Sequence, residues 1–582
     1  MSRTIYKSLP DLSKARTKRL DPKTIREDAV VPESVKAFGQ GRKYFIKTFG
    51  CQGNVRDEEV MAGYLELAGM TRTDVEAEAG LVIINTCAVR ENAEEKVYGE
   101  IGKFKANRKA DPSFFLAVCG CMMQEEGVAK AVKASYPYVN LIFGTHNLSN
   151  LLNLIAEALE RKKDIVDIVS YPGDIVENLP STRLDSYKAF VNITYGCDKF
   201  CTYCIVPYTR GRERSRAKED ILKECKALIE EGYQEITLLG QNVNSYGKDF
   251  KDGTSFATIL QEVADLGIPR LRFMTSHPWD FSDEMLDVIA KNKNIMPCIH
   301  LPVQSGSTSM LRIMGRRYSR EDYLALVNKI KTKIPGCAIT TDIIVGFPGE
   351  TEEQFEDTLS LVNEVKYDAA FTFIYSPRKG TPAAKMKDDV AMEVKKERFN
   401  RLLKAVEEGV TFHSSQMLGH VYSILVDGPS KKDPDFLSGY AENGKLVHFK
   451  GPKALKGCIV NVLVEEDHAF SMKGTLVDDP ILALAKRAGR LLLSEAPAKE
   501  YLLAKKAVEE SSTLNELKQE ILKAKESMQN AVKDGDDVAF IKERNHAKAL
   551  EKAYQEDPLV LNLEARKKDL EPLLLEAEAF FE

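Results

Sequence analysis

The stretch Thr194–Arg216, TYGCDKFCTYCIVPYTRGRERSR, decides how the rest of the 582-residue chain is read. Cys197, Cys201 and Cys204 follow a β-rich run directly, with three and then two residues between them. Thiolates this close can reach three corners of one cubane, so a [4Fe–4S] site is chemically sensible. Three ligands, not four, leave one iron open to an exogenous molecule. Structural zinc normally wants a fourth Cys or His nearby, and this loop offers neither.

Outward from that loop the texture alternates. Candidate strands are Phe190–Tyr195, Glu235–Leu239, Leu271–Met274, Cys298–Val303, Ile339–Val345 and Phe371–Tyr375. Helix-length segments such as Lys218–Glu231, Asp283–Lys291, Arg320–Lys333 and Thr351–Val365 separate them. Six β/α units predict a partial (β/α)6 barrel, with its chemistry at the carboxyl ends of the strands. Upstream, Tyr44–Thr48, Leu81–Asn85, Phe115–Val118 and Leu141–Phe143 predict a small α/β domain over residues 43–160 with a largely parallel sheet. Downstream of a helical segment, Ala391–Glu408, residues 415–476 break into short strands at His420–Val426, Lys445–Phe449 and Cys458–Glu465. These read as a small antiparallel β-barrel of oligonucleotide-binding type. Residues 479–582 are rich in Ala, Leu, Lys and Glu and read as a helical extension without a catalytic constellation. Residues 1–42 carry ten Lys/Arg against five Asp/Glu and read as a basic flexible arm. The fold class expected is thus α/β multidomain.

Composition narrows the function. Hydrophobic residues make up 43% and charged residues 29%, ordinary for a globular protein. No stretch approaches the ~18 apolar residues of a membrane span, and the first twenty residues lack the apolar block of a secretory signal, so a cytoplasmic location is expected. The net charge of −5 excludes a global polycation, so any nucleic-acid contact must come from local patches. Eleven bunched cysteines in a reducing compartment suit metal binding or catalysis better than disulfides.

A second, dispersed set of thiols lies upstream in TFGCQGN, NTCAVREN and CGCMMQEE. Cys51, Cys87 and Cys121 each sit just past a candidate strand, so one sheet edge could gather them. Taken alone, that spacing is weak, because buried unliganded cysteine is common.

Cx3Cx2C at the end of a first barrel strand resembles the radical S-adenosylmethionine (SAM) superfamily. The residues flanking the dispersed cysteines resemble the amino-terminal domain of its methylthiotransferase family. That resemblance covers roughly residues 43–476 and implies a radical SAM core over 183–412, a TRAM domain over 415–476 and two [4Fe–4S] clusters. The auxiliary cluster would be held by Cys51, Cys87 and Cys121, and the SAM-binding cluster by Cys197, Cys201 and Cys204. It also implies Cys121 rather than Cys119 as the third auxiliary ligand, since the family pattern is Gly-Cys followed by an apolar residue, here Gly120-Cys121-Met122. Gly240, Gln241 and Asn242 match the segment contacting the SAM amino group, and FTFIYSPRKGTPAA matches the segment lying against adenine, with Tyr203 packing near it or in the core. Gln304, Ser305, Gly346, Gly349 and Glu350 stand at other strand ends. Cys225, Cys298, Cys337 and Cys458 match no ligand position. Arg210, Arg212, Arg214 and Arg216 read equally as phosphate ligands or as structural ion pairs.

KFCTYCIVPYTRGRERSR, LLGQNVNSYG, TSHPWDF, HLPVQSGS and YSPRKGTPAA resemble the family branch acting on N6-dimethylallyladenosine 3′ of the tRNA anticodon. The resemblance implies conversion of that base to its 2-methylthio derivative with two molecules of SAM. Alternatives are the branch acting on N6-threonylcarbamoyladenosine tRNA and a non-catalytic iron–sulfur RNA-binding protein. Expected partners are a tRNA anticodon stem-loop, an electron-donor protein and a sulfur source, with no membrane, the chain acting as a monomer. Lys431, Lys432, Lys445, Lys450 and Lys453, with His448 and Phe449, are the TRAM residues expected to face RNA, phosphates to the lysines and bases to the aromatic.

Overall fold

The computed structural model describes residues 4–14, 22–26, 28–88, 91–170 and 174–579, the side chains of 91–95 and 578–579 excepted. The amino-terminal sheet has seven strands, all paired in parallel: β1 (Thr4–Ser8), β3 (Lys43–Thr48), β4 (Thr71–Arg72), β5 (Leu81–Thr86), β6 (Phe115–Gly120), β7 (Leu141–Phe143) and β8 (Asp164–Asp167). Their spatial order is β1-β8-β7-β6-β5-β3-β4. β2 (Thr24–Arg26) pairs separately with β9 (Ile175–Glu177). Every residue of β5 and β6 is buried, which explains their unbroken apolar character: helices cover both faces of the sheet, giving one core on each side.

The amino terminus departs from the flexible arm expected of residues 1–42. Among its described residues, Thr4–Ser8 extends the sheet beside β8, and Glu33–Gly39 forms a helix packed on Leu151–Arg161. Edge hydrogen bonding outweighs the local charge, and β8 lies beyond the expected boundary at 160. Arg3, Arg16, Lys18 and Arg19 lie outside the described residues.

The barrel comprises β10 (Lys188–Asn192), β13 (Glu235–Leu239), β14 (Arg270–Phe273), β15 (Cys298–His300), β16 (Ala338–Val345) and β17 (Ala369–Ile374), parallel throughout in two hydrogen-bonded triplets. A parallel bridge from Leu271 to Ile295 links the triplets. Six strands of one continuous core make the open barrel expected. Short antiparallel strands β11 (Thr194–Tyr195) and β12 (Arg214–Ser215) close the cysteine loop at its base.

β18 (Val421–Pro429), β19 (Leu437–Ala441), β20 (Leu446–Phe449), β21 (Ile459–Asp467) and β22 (Ser471–Leu476) form a closed barrel in the order β18-β19-β20-β22-β21. One of its pairings, β20 with β22, is parallel, a departure from the wholly antiparallel barrel expected. Lys188 and Arg270 begin their strands, and they hold Asp427 and the Tyr440 and Ala441 carbonyls, so this domain is anchored at the amino ends of the strands.

A second compact unit, whose described residues run chiefly over 484–579, is helical. Ser512–Asp534 and Asp537–Gln555 form a hairpin turning at Gly535 (φ +69°), while Ala496–Glu510 packs on Pro558–Ala579 around Val508, Leu514 and Val560.

Candidate active site

The loop after β10 is held by backbone geometry. Gly196 has φ +76°, and a Cβ there would meet the Gly211 and Arg212 carbonyls at 2.4 and 2.2 Å. The Cys197 amide donates to Gly211 O (3.1 Å) and the Cys204 amide to Cys201 O (3.0 Å). Thr202 ties the loop to both later segments: its amide donates to Met314 O, and its carbonyl accepts from the Ala383 amide in the stretch after β17. Burial pushes Cys204 up to about 12 and Cys197 well above its ordinary value, the charge of neighbouring thiols adding to both. Bare, Cys197 and Cys204 stay protonated. Bound iron would displace those protons.

The dispersed thiols gather at the carboxyl ends of β3, β5 and β6. Cys51 caps the helix Gln52–Leu67, Cys87 follows β5, and Cys121 opens the turn after β6. Gly120 (φ +101°) permits the close approach: a Cβ there would lie 2.3 Å from Thr86 O. A Cβ on Gly50 would lie 2.7 Å from Cys87 Cβ. Asn54 and Asn85 stitch the Cys51 and Cys87 turns together, Asn54 Nδ2 donating to Thr86 O and Asn85 Nδ2 to Asn54 O. Cys121 is pushed up to about 12 by burial, against the pull of Arg210, and senses Cys87 and Cys51. Cys119 points away from that group into the core, against Met61 Sδ at 3.6 Å.

Among the described residues no three His, Cys, Asp or Glu side chains converge as tightly as a single ion requires. The barrel mouth also holds buried polar atoms without a hydrogen-bond partner among the described residues. These are Asn242 Oδ1 after β13, Ser276 Oγ after β14 and Tyr375 OH after β17. Buried polar groups are rarely left unsatisfied, and three at one rim fit a polar cofactor such as SAM.

The two thiol groups belong to one continuous body. Arg210, six residues past Cys204, donates through Nε to Cys121 Sγ (3.1 Å) and through Nη2 to Asp57 Oδ2 (2.6 Å). Ile205 and Tyr208 pack with Ala88 and Cys121, and Leu12 and Phe200 close over them. Arg210 is thus the link between the sites, a role its place in an arginine run gives no hint of. Arg212 pairs with Asp198, Arg214 stands over the Tyr195 ring, and Arg216 pairs with Glu177 and Glu224. Of the two readings of this run, the ion pairs are what the structure holds for Arg210, Arg212 and Arg216.

Other strand-end residues act as scaffolding. Gln241 accepts from the Gly196 amide, and Asn242 donates to Asp280 (2.7 Å). Gln304 takes a left-handed turn (φ +73°) and Ser305 faces Thr358. Glu350 accepts from the Gly346 amide and pairs with Arg398 (3.0 Å), while the Gly349 amide donates to Asp389. Tyr203 meets Phe347 edge-on in a cluster with Tyr375 and Met314. Arg316, missed from sequence, is buried with Nη1 3.7 Å from Cys201 Sγ. Cys225 and Cys337 lie in the barrel core, Cys298 by Gly444, and Cys458 is buried just before β21 near Ala483 O. In that small barrel Phe449 is fully buried and cannot stack on a base. Phe436, bracketed by Lys450 and Lys473, is the aromatic beside the cations.

Known families match this arrangement. The radical SAM superfamily model matches residues 191–362, that of uncharacterized protein family UPF0004 residues 43–144, and that of the TRAM domain residues 415–477. The tRNA-2-methylthio-N(6)-dimethylallyladenosine synthase of Geobacillus kaustophilus is 53% identical over 473 residues, 81% of this chain and 89% of that protein. The protein of the same name from Bacillus subtilis is 52% identical, over 81% of this chain and 93% of its own. With such identity across most of both chains, the protein belongs to the radical SAM methylthiotransferase family, among the tRNA-2-methylthio-N6-dimethylallyladenosine synthases.

Proposed function

We propose that the protein converts N6-dimethylallyladenosine, 3′ of the anticodon in tRNA, to its 2-methylthio derivative, with Cys197, Cys201 and Cys204 holding the SAM-binding [4Fe–4S] cluster and Cys51, Cys87 and Cys121 the auxiliary one. The observation that supports it most is the Arg210 bridge, which joins two sets of thiols in one body, as a reaction needing both clusters requires. An aromatic C–H is inert to acid–base chemistry, so the bound clusters and SAM supply the radical hydrogen abstraction and the methylthio group.

The chain's own residues position and shield. Gly196 and the Thr202 contacts fix the core thiols, and Gly120 lets the auxiliary turns meet. Asn242, Ser276 and Tyr375 offer polar atoms to SAM. Ile205, Tyr208 and Ala88 keep water from the seam between the sites. Lysines around Phe436 on the TRAM barrel would take tRNA phosphates, while an electron-donor protein and a sulfur source complete the cycle in the cytoplasm.

Nucleoside analysis of tRNA from a deletion strain tests the reading. The methylthio group should vanish from dimethylallyladenosine, return with the wild-type chain and stay absent with Cys201→Ala. Its loss from threonylcarbamoyladenosine instead would transfer the protein to the other branch.

A further inference from the structure

Trp279 is the chain's single tryptophan, and it lies 41% exposed on the turn Pro278–Asp280, just past the carboxyl end of β14. That places it on the rim where the core cysteine loop opens. Two cations stand over its ring, Lys199 Nζ and Arg317 Cζ, each 4.8 Å from the centroid. Both belong to the site's surroundings: Lys199 lies between Cys197 and Cys201, and Arg317 follows the Arg316 that reaches Cys201 Sγ. Lys248, largely exposed, shares Asp280 with Lys199. Against these three cations the turn sets one buried carboxylate, Asp280, and Asp198 is taken by Arg212. An exposed indole among cations is the arrangement by which proteins hold single-stranded nucleic acid, the ring stacking on a base and the cations tracking its phosphates.

We infer that Trp279 is a stacking platform for an unpaired base of the RNA substrate at the barrel mouth, with the exposed Lys248 and Arg317 as its phosphate partners. The inference rests on the tRNA reading above and names a contact within it. Arg317 is exposed, so a base that takes its place over the indole leaves it free to meet a phosphate. The buried turn beneath keeps the ring in place, because Asp280 is held by Lys199, Lys248 and Asn242.

A single tryptophan makes the test site-specific. The cluster-loaded protein is titrated with a labelled synthetic anticodon stem-loop RNA carrying N6-dimethylallyladenosine, following RNA anisotropy and tryptophan emission together. The expected result is emission quenched in step with the anisotropy rise. Trp279→Ala should bind this RNA about tenfold more weakly with iron content unchanged, and Trp279→Phe should recover most of the affinity. An anisotropy rise with constant emission, or an unchanged affinity in Trp279→Ala, overturns the platform and leaves the tRNA reading standing. No anisotropy rise at all overturns both.

Discussion

The two thiol groups reach the same end by opposite routes. Cys197, Cys201 and Cys204 share one loop closed by a two-residue ladder, so their grouping is a local property. Cys51, Cys87 and Cys121 come from the ends of β3, β5 and β6, and only the parallel pairing of those strands brings them together. The local group leans on its own backbone turns. The dispersed group depends on a whole sheet, two asparagines, close-packed glycines and an arginine lent by the other loop. It should therefore be the easier to break from a distance.

Gly120→Ala gives the largest effect on that contrast. The new Cβ meets backbone atoms of Thr86 at 2.3 and 2.6 Å, at a φ unfavourable for any L side chain. Iron after anaerobic reconstitution should fall from about eight to about four per chain, with the core cluster retained. Gly196→Ala should do the reverse, keeping the auxiliary four. Equal loss of both clusters from either variant would show that the groups are not separable.

Arg210→Gln probes the link. It leaves Asp57 buried and uncompensated, a loss of about 3–5 kcal/mol by analogy with other broken buried pairs. It also removes a hydrogen bond from Cys121 sulfur, which should shift the auxiliary cluster's reduction potential while sparing the core cluster's. Thermal unfolding and potentiometry read the two effects separately.

Acid sensitivity sharpens the comparison through the ion network behind the dispersed group. Burial works against the Glu224 carboxylate, yet Arg216, Arg56 and Arg183 hold it down at about 2. A folded value below the unfolded ~4.3 means the contribution is complete above pH ~4.3 and fades as pH falls toward 2. Glu224→Gln should lower the melting temperature at neutral pH and flatten its decline between those limits. The smallest effect is expected from removing residues 485–582, which should leave iron and sulfide per chain unchanged.

Legibility followed the range of the interactions. The core triad, six barrel strands and a small β-barrel were readable because loop spacing and β/α alternation are local signals. The polar stretch that forms the helix Gln52–Leu67 was legible as helix-forming but its partners were not, since it buries Asp57, Glu58 and Glu59 against Arg210, Arg72 and Arg183, and no apolar stripe marks such a face. The amino-terminal strand failed for a related reason: TIYKS resembles a solvated leader until β8 offers its edge. Phe449 was misplaced because strand register decides which side chains of β20 face inward, and Phe436, just before β19, stands beside the cations instead.

What the chain declares unaided is its local chemistry: one loop of three thiols, a partial barrel's alternation and a basic small barrel, all carried by residue type and short spacing. What only the tertiary structure decided is who meets whom. Arg210 reaches Cys121 from 89 residues away, and three buried polar atoms at strand carboxyl ends lack a partner among the described residues. Such contacts form only once parallel strands bring their carboxyl ends side by side, an arrangement set by the summed burial of two sheets and written in no single segment.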